Sequence, residues 1–230
     1  MGYLIMSIPF VTVIIPVYEA ERYLSACLES LLRQDFHSWE CICIDDGSHD
    51  GSTSILQSYV CKDTRIKCVC QRNVGVSSTR NRGILYALGR YIAFIDADDW
   101  ISNNYLSAFE SVAVSDRDGA WPNLLIGSVK RVLGDIRTIC VDVKYSRVSE
   151  VGSGGTLEDS DLLRNTFSWG RLFLTETLRK HHIAFDSMVR FSEDMLFNYQ
   201  VLLCCEAVGF VREALYFYRT TPNSASMKCY

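Results

Sequence analysis

Three carboxylates fall within four residues, Asp96-Ala97-Asp98-Asp99, directly after the apolar run Tyr91-Ile92-Ala93-Phe94-Ile95, and Trp100 closes the cluster. The run has the β-branched and aromatic content of a buried strand, so the acidic group stands at a strand's end. Buried together, these carboxylates would repel one another and carry a heavy desolvation cost. They need a cation, strong hydrogen-bond donors or open water. Open α/β sheets bind ligands just beyond the carboxyl ends of their strands. A hard divalent cation held by one or two carboxylates and completed by phosphate oxygens suits that position and implies a diphosphate-bearing substrate. The competing reading is an acidic, solvated turn that ends a strand and caps the next helix. Two more acidic pairs stand at element ends. Asp45-Asp46 follows Glu40-Cys41-Ile42-Cys43-Ile44, where a turn and helix-cap pair is the alternative. Glu193-Asp194 opens a helix that buries Met195, Leu196, Tyr199, Leu202 and Leu203, with Ser192 as its cap.

The elements that must position these groups read as alternating strands and helices. Val11-Thr12-Val13-Ile14-Ile15 is a strand stopped by Pro16, and Leu24, Cys27, Leu28, Leu31 and Leu32 then recur at helical spacing. Ile55, Leu56, Tyr59 and Val60 mark a second helix, Ile66 to Cys70 a third strand, and Ser77 to Leu88 a third helix with Gly89 as its αL cap. Such alternation predicts a mostly parallel sheet with helices on both faces. Its carboxyl ends share one edge, so Val17-Tyr18-Glu19, Asp45-Asp46, Arg72-Asn73 and Asp96 to Asp99 should converge on one crevice. No G-x-G-x-x-G follows the first strand and no G-x-x-x-x-G-K occurs, which removes most support for a nicotinamide or P-loop site.

Composition narrows the class. With 230 residues, 48% hydrophobic and 22% charged, the chain suits one domain. A net charge of -4 leaves no basic footprint for nucleic acid. Of ten cysteines, Cys41, Cys43, Cys68 and Cys70 alternate inside apolar runs and read as small buried hydrophobes of a reducing cytoplasm, without zinc spacing. No stretch approaches the roughly 20 apolar residues of a membrane span. Met1 to Phe10 lacks the basic start and long apolar block of a signal peptide.

Four motifs then stand in order: Val13-Ile14-Ile15-Pro16-Val17-Tyr18; Ile44-Asp45-Asp46-Gly47-Ser48 with Asp50-Gly51-Ser52; Asn73-Val74-Gly75-Val76-Ser77 leading to Arg80-Asn81-Arg82-Gly83; and Asp96-Ala97-Asp98-Asp99. Together, over about Pro9 to Leu106, they resemble the signature of family 2 glycosyltransferases, whose fold is the glycosyltransferase A type. The resemblance implies a single domain over 1–230, with a nucleotide-sugar half at 8–115 and a small acceptor-side region at 116–230. It also implies an inverting transfer from a nucleotide sugar, usually a uridine diphosphate sugar, with Mn²⁺ or Mg²⁺.

Carried over residue by residue, the resemblance puts Pro16, Val17 and Tyr18 along the base and Asp46 on the uracil edge, with Asp45 beside it. Glu19 and Asn73 join the donor set, although Glu19 stands where the family commonly has asparagine, which questions the local hydrogen bond there. Asp98 would be the direct metal ligand, Asp96 would face the ribose or a metal-bound water, and Asp99 would support them. Arg80 occupies the family's basic position, facing the diphosphate or sugar, or else is a solvated helix charge. Asn81 and Gly83 serve packing. Asp194 matches the aspartate of the family's Glu-Asp pair, the general base, with Glu193 and Trp169 on the acceptor side; a core aromatic is the alternative for Trp169.

In the second half, Asn123 to Gly127 reads as a strand and Val129 to Val143 as a hairpin about Gly134-Asp135. Val148 to Thr156 reads as a lid, Thr175 to His181 as a helix, and Leu215 to Arg219 with Ser224-Ala225-Ser226 as the closing strand and loop. His37, His49, His181 and His182 fall outside the motifs and read as surface residues. The expectation is a cytoplasmic enzyme, able to work at the inner membrane face, that extends a glycan or lipid-linked saccharide. The alternatives are a non-catalytic nucleotide-sugar or glycan-binding homologue and a metal-dependent nucleotidyltransferase.

Overall fold

The computed structural model describes residues 8–114, 121–133, 137–141, 149–150, 167–189 and 191–220. Strand parity organises it. In β1 (Val11–Val17), Val11, Val13 and Ile15 join one core cluster and Ile14 the other; in β4 (Tyr91–Phe94), Tyr91 and Ala93 face one side and Ile92 and Phe94 the opposite side. A strand that is apolar on both faces needs cover on both. Helices α1 (Leu24–Leu32), α2 (Ser52–Lys62) and α4 (Tyr105–Ala113) bury Leu28, Leu56 and Phe109 in the first cluster. Helix α3 (Val76–Tyr86), the short helix Thr175–Lys180 and the helix Glu193–Leu203 bury Ile84, Leu178 and Phe197 in the second.

Strands β2 (Trp39–Asp45) and β3 (Ile66–Cys70) extend the parallel half in the order β3-β2-β1-β4. Beyond β4 the sheet becomes mixed. β9 (Arg171–Leu174) runs antiparallel to both β4 and β6 (Leu124–Leu133), and β10 (Ala207–Thr220) runs parallel to β6. The two-residue β5 (Trp100–Ile101) is antiparallel to β10. β7 (Arg137–Val141) pairs antiparallel with β6, as the expected hairpin requires. Its Gly134-Asp135 tip, most of the expected lid at Val148 to Thr156, most of Met1 to Phe10, and Ser224 to Ser226 lie outside the described residues. Ser149–Glu150 forms a short strand against β10.

Three local expectations are corrected. Pro16 does not end β1: the ladder to β2 continues through Pro16↔Ile44 and Val17↔Asp45. Pro16 lies on the parity that faces β4, and that ladder ends at Ile14↔Phe94, so the missing N–H falls where no partner strand remains. Gly89 is not an αL cap. Helix α3 stops at Tyr86, and a Cβ on Gly89 would lie 2.4 Å from the Thr12 backbone nitrogen, so close strand approach is what requires glycine there. Cys70 is exposed rather than buried, because β3 is the outer strand of the sheet. Gly83 does pack as expected: a Cβ there would stand 2.4 Å from Ile14 Cγ2, so α3 lies directly on β1. All four histidines are exposed. Among the described residues no helix is long and apolar enough to cross a membrane.

Gly83→Ala should therefore lower stability by about 1–3 kcal/mol, the usual range for overpacking a core. Urea denaturation checks this, and an unchanged midpoint would show that α3 can lift off β1 at no cost.

Candidate active site

The carboxyl ends of β1 to β4 open onto one cleft of about 700 Å³. The strand order reverses between β1 and its two neighbours, and open α/β sheets leave a crevice at such a point. The loop after β1 contributes Pro16, Val17, Tyr18 and Glu19; β2 ends in Asp46; the loop after β3 brings Asn73 and Gly75; α3 adds Thr79 and Arg80; and the turn after β4 supplies Asp96 and Asp98. The acidic groups far apart in sequence thus meet on one rim.

One end of the cleft has a flat, accessible wall and a buried carboxylate. Tyr18 lines this end and is 52% exposed. Asp46 is 4% exposed. Its Oδ1 accepts from Gln71 Nε2 at 2.8 Å and from the Val74 N–H at 2.9 Å, and its Oδ2 accepts from the Gly75 N–H at 2.8 Å. A carboxylate has about four lone-pair sites, so one remains on Oδ2 for a ligand donor. Gly75 reaches Asp46 at φ +90°, a conformation that favours glycine, and the same residue starts α3.

Two neighbours expected at the donor site turn away from it. Asp45 accepts from the Ser48 N–H at 2.9 Å and from Thr53 Oγ1 at 2.5 Å. It ties the β2 turn to α2, so the turn reading holds for Asp45 while Asp46 alone lines the cleft. Asp99, 1% exposed, accepts from Tyr216 Oη at 2.6 Å and from the Arg219 N–H at 2.7 Å. It braces the turn against β10 and does not line the cleft. Glu19 adopts φ +49°, a region where asparagine is several-fold enriched, and keeps the loop bonded by another route. Its N–H donates to Ser48 Oγ at 3.1 Å and its Oε1 accepts from the His49 N–H at 2.7 Å.

The centre of the site is Arg80. It is 4% exposed, so the solvated-charge reading is overturned. Its Nη2 donates to Asp96 Oδ1 at 3.0 Å and its Nη1 to Asp194 Oδ1 at 2.7 Å, with Glu193 Oε1 3.6 Å away. The guanidinium carbon lies 5.2 Å from the centre of the Phe185 ring. Burial works against its charge, but Asp96 and Asp194 outweigh burial and hold it firmly protonated. Asp194 is pushed up by burial and held back by Arg80, while the Asp96 and Glu193 charges push it up again. A carboxylate raised in this way is suited to accept a proton. Ser168 also lies near enough to Asp194 to favour its ionised form, though its buried hydroxyl makes no bond of proper geometry among the described residues. Ser192 precedes the helix at φ +64° and makes no side-chain cap, because in the left-handed region its hydroxyl does not bond the first-turn N–H groups.

Asp98 carries unmet charge. Burial first, then neighbouring Asp96, push it up to about 6, and Arg219 compensates only in part. Among the described residues no three His, Cys, Asp or Glu are grouped to hold a metal, so the protein offers Asp98 and Asp96, and further ligands would have to come from phosphate and water. That donor set fits Mg²⁺ or Mn²⁺, which are commonly held by one or two carboxylates plus substrate phosphates.

Trp169 is not an acceptor platform on this geometry. It is 6% exposed and stacked against Phe167, Tyr216 and Tyr218 with ring centres 4.3, 5.0 and 5.1 Å away, which is the core-aromatic reading. Sequence reasoning missed four supporting residues. Tyr216 Oη accepts from the Asp96 N–H while donating to Asp99. Arg219 Nε donates to the Asp98 carbonyl at 2.9 Å, its guanidinium lying between the Tyr23 and Trp100 rings. Arg171 Nη1 donates to Asn198 Oδ1 at 2.9 Å, and Asn198 Nδ2 donates to the Asp194 carbonyl at 2.8 Å. A charged residue inside the apolar runs around Arg171 and Arg219 was the available signal.

A family model for "Glycosyl transferase family 2" matches residues 12–149. The "Uncharacterized glycosyltransferase EpsJ" of Bacillus subtilis is 33% identical over 220 residues, 94% of this chain and 63% of that protein. The "Poly(ribitol-phosphate) beta-glucosyltransferase" of Bacillus spizizenii is 29% identical over 215 residues, 90% of this chain and 32% of that protein. Among solved structures, S. aureus TarS 1-349 in complex with UDP-GlcNAc aligns with a TM-score of 0.82 at 24% identity, covering 96% of this chain and 61% of that one. That likeness concerns the fold, which is of the glycosyltransferase A type. The chain spans about three fifths of the length of the first curated relatives it matches.

Two consequences of the Asp98 environment can be measured together. Because its folded pKa is raised from 3.8 to about 6, Asp98 costs the ligand-free fold nothing at low pH and its full penalty above about 6. Asp98→Asn should therefore raise the melting temperature at pH 7.5, with the gain vanishing by about pH 4. Mn²⁺ binding with UDP should weaken as pH falls through about 6 in the wild type, since the ligand must be ionised, and should be lost in the variant. Unchanged Mn²⁺ affinity in Asp98→Asn would remove it as a ligand.

Proposed function

The chain belongs to glycosyl transferase family 2, and from that premise we propose that it moves a sugar from a uridine diphosphate sugar to a hydroxyl of a glycan or lipid-linked saccharide, with inversion. The observation that carries the reading is the convergence of Asp46, Asp96 and Asp98 on one cleft, with Asp194 joined to it through Arg80. UDP and UDP-GlcNAc are the ligands of the TarS complexes, which supports the donor class proposed here, and the ribitol-phosphate polymer named for one relative offers hydroxyls, the group the acceptor must present.

Each residue has a task in this mechanism. The Tyr18 ring stacks on the base, and the remaining lone pair of Asp46 accepts from the uracil imide N–H. A ligand lacking that donor would leave a buried charge unmatched. Asn73, Pro16 and Val17 flank the nucleotide. Asp98 and Asp96 would hold Mn²⁺ or Mg²⁺, which would supply counter-charge to the diphosphate leaving group. Asp194 takes the proton from the acceptor hydroxyl as that oxygen attacks the anomeric carbon from the face opposite the diphosphate. Glu193 lies beside it on the acceptor side. A single displacement needs no nucleophilic serine or cysteine.

The test is UDP release with Mn²⁺ across donors and acceptors. Asp194→Asn should reduce transfer by roughly 10²-fold to 10⁴-fold, the range for loss of a general base. Near-normal transfer by that variant would take Asp194 out of the mechanism. Pyrophosphate instead of UDP would make the enzyme a nucleotidyltransferase, and donor binding without turnover would make it a binding module.

A further inference from the structure

A buried arginine with carboxylates from two distant segments on its two prongs does more than neutralise charge. Arg80 sits on α3 against the parallel half of the sheet, Asp96 follows β4, and Asp194 opens the helix Glu193–Leu203. The guanidinium is planar, so the 2.7 Å and 3.0 Å bonds fix the direction of each carboxylate as well as its distance. Asp194 is held from a second side through its own carbonyl by Asn198, which Arg171 fixes in turn.

We propose that Arg80 is a positioning residue for the base: it fixes the Asp194 carboxylate at a set place relative to Asp96 on the cleft wall, so that donor loading and proton acceptance lean on one cation. The inference rests on the reading of Asp194 as the general base and deepens it. Among the described residues, the charged groups facing Asp194 are Arg80 from α3, Asp96 from the turn after β4, Glu193 from its own helix and Arg171 from β9. Two of these four are cations, and Arg171 is itself burdened by burial, its pKa pushed down to about 10. Arg80 is the one that bonds the carboxylate directly. Removing it leaves Asp194, among the described residues, facing Asp96 and Glu193 with the support of Arg171 and the neighbouring Ser168 hydroxyl.

The test reads the carboxylate itself, without substrate. In a chain carrying aspartate labelled with ¹³C at the side-chain carboxyl, the Asp194 resonance is identified by its loss in Asp194→Asn, and its titration midpoint is compared between wild type and Arg80→Gln. The expected result is a rise of roughly 1–3 units in Arg80→Gln, the usual effect of an adjacent opposite charge. An unmoved midpoint overturns the proposal. Should Arg80→Gln not fold, Arg80→Lys keeps the buried charge but cannot fork to both carboxylates. UDP release from UDP-N-acetylglucosamine with Mn²⁺ should then fall roughly tenfold or more in kcat while UDP affinity stays within about threefold. Equal kcat in Arg80→Lys overturns the proposal, as does a loss confined to UDP affinity, which would make Arg80 a donor ligand only. Normal turnover by Asp194→Asn would refute the base reading instead, and the ligand-free midpoints would still report what Arg80 does to that carboxylate.

Discussion

A guanidinium removed from water must be matched by negative charge, and here the match comes from one segment near in sequence and one far from it. Arg80 joins Asp96 to Asp194 across 114 residues of sequence between itself and the latter. Breaking a buried pair of this kind by deleting one partner commonly costs about 3–5 kcal/mol, because the other charge is stranded. The two halves of the cleft are therefore held in register by an interaction that tolerates little change. Among the described residues the cluster is also net negative, with Asp96, Asp98, Glu193 and Asp194 set against Arg80, Arg171 and Arg219. The fold leaves a deficit of positive charge where a cation-bearing substrate would supply it.

That deficit opposes stability. Asp98 and Asp99 are raised first by burial and then by Asp96, with Asp98 adding to the shift of Asp99, and Arg219 relieves Asp98 only in part. The fold tolerates the strain because the surrounding backbone is tied down. Asp99 is anchored by Tyr216 and Arg219, the Asp98 carbonyl is held by Arg219, and the Asp96 N–H is held by Tyr216. Perturbed carboxylates gathered in a cleft are a general mark of functional sites, and here the cause of each shift can be assigned to a named neighbour.

How much of this was legible in the sequence follows from the range of the interactions. The strands and helices of residues 11–113 were readable because apolar periodicity reports which face is buried, and the convergence of Asp46 and Asp96 follows from strands being parallel. Asp45 and Asp46 show the limit. Adjacent in sequence and alike in chemistry, they point to opposite sides of a turn, and only the positions of Thr53 and of the Gly75 N–H decide which one lines the cleft. Arg80 stood open between a donor-facing residue and a solvated helix charge because periodicity in α3 is weak, and its burial depends on a helix more than a hundred residues away. Trp169 was ambiguous for a related reason: an aromatic residue beside a strand is core or platform according to whether Tyr216 and Tyr218 stack on it. Gly89 was misread because glycine serves both left-handed caps and close contacts, and sequence does not separate the two.

The bracing of the acidic turn by β10 also has a bearing on how the molecule is made. Tyr216 lies 117 residues beyond Asp99 and pairs with it by one of the longest-range contacts in the molecule. Contacts so distant in sequence are slow to form and arrive late, whether in a refolding chain or on the ribosome. The first four strands can assemble the walls of the cleft early, while its acidic turn stays unbraced until the last described strand docks. A half-made chain would then have the outline of the pocket without its full grip, so competence is acquired in one late step.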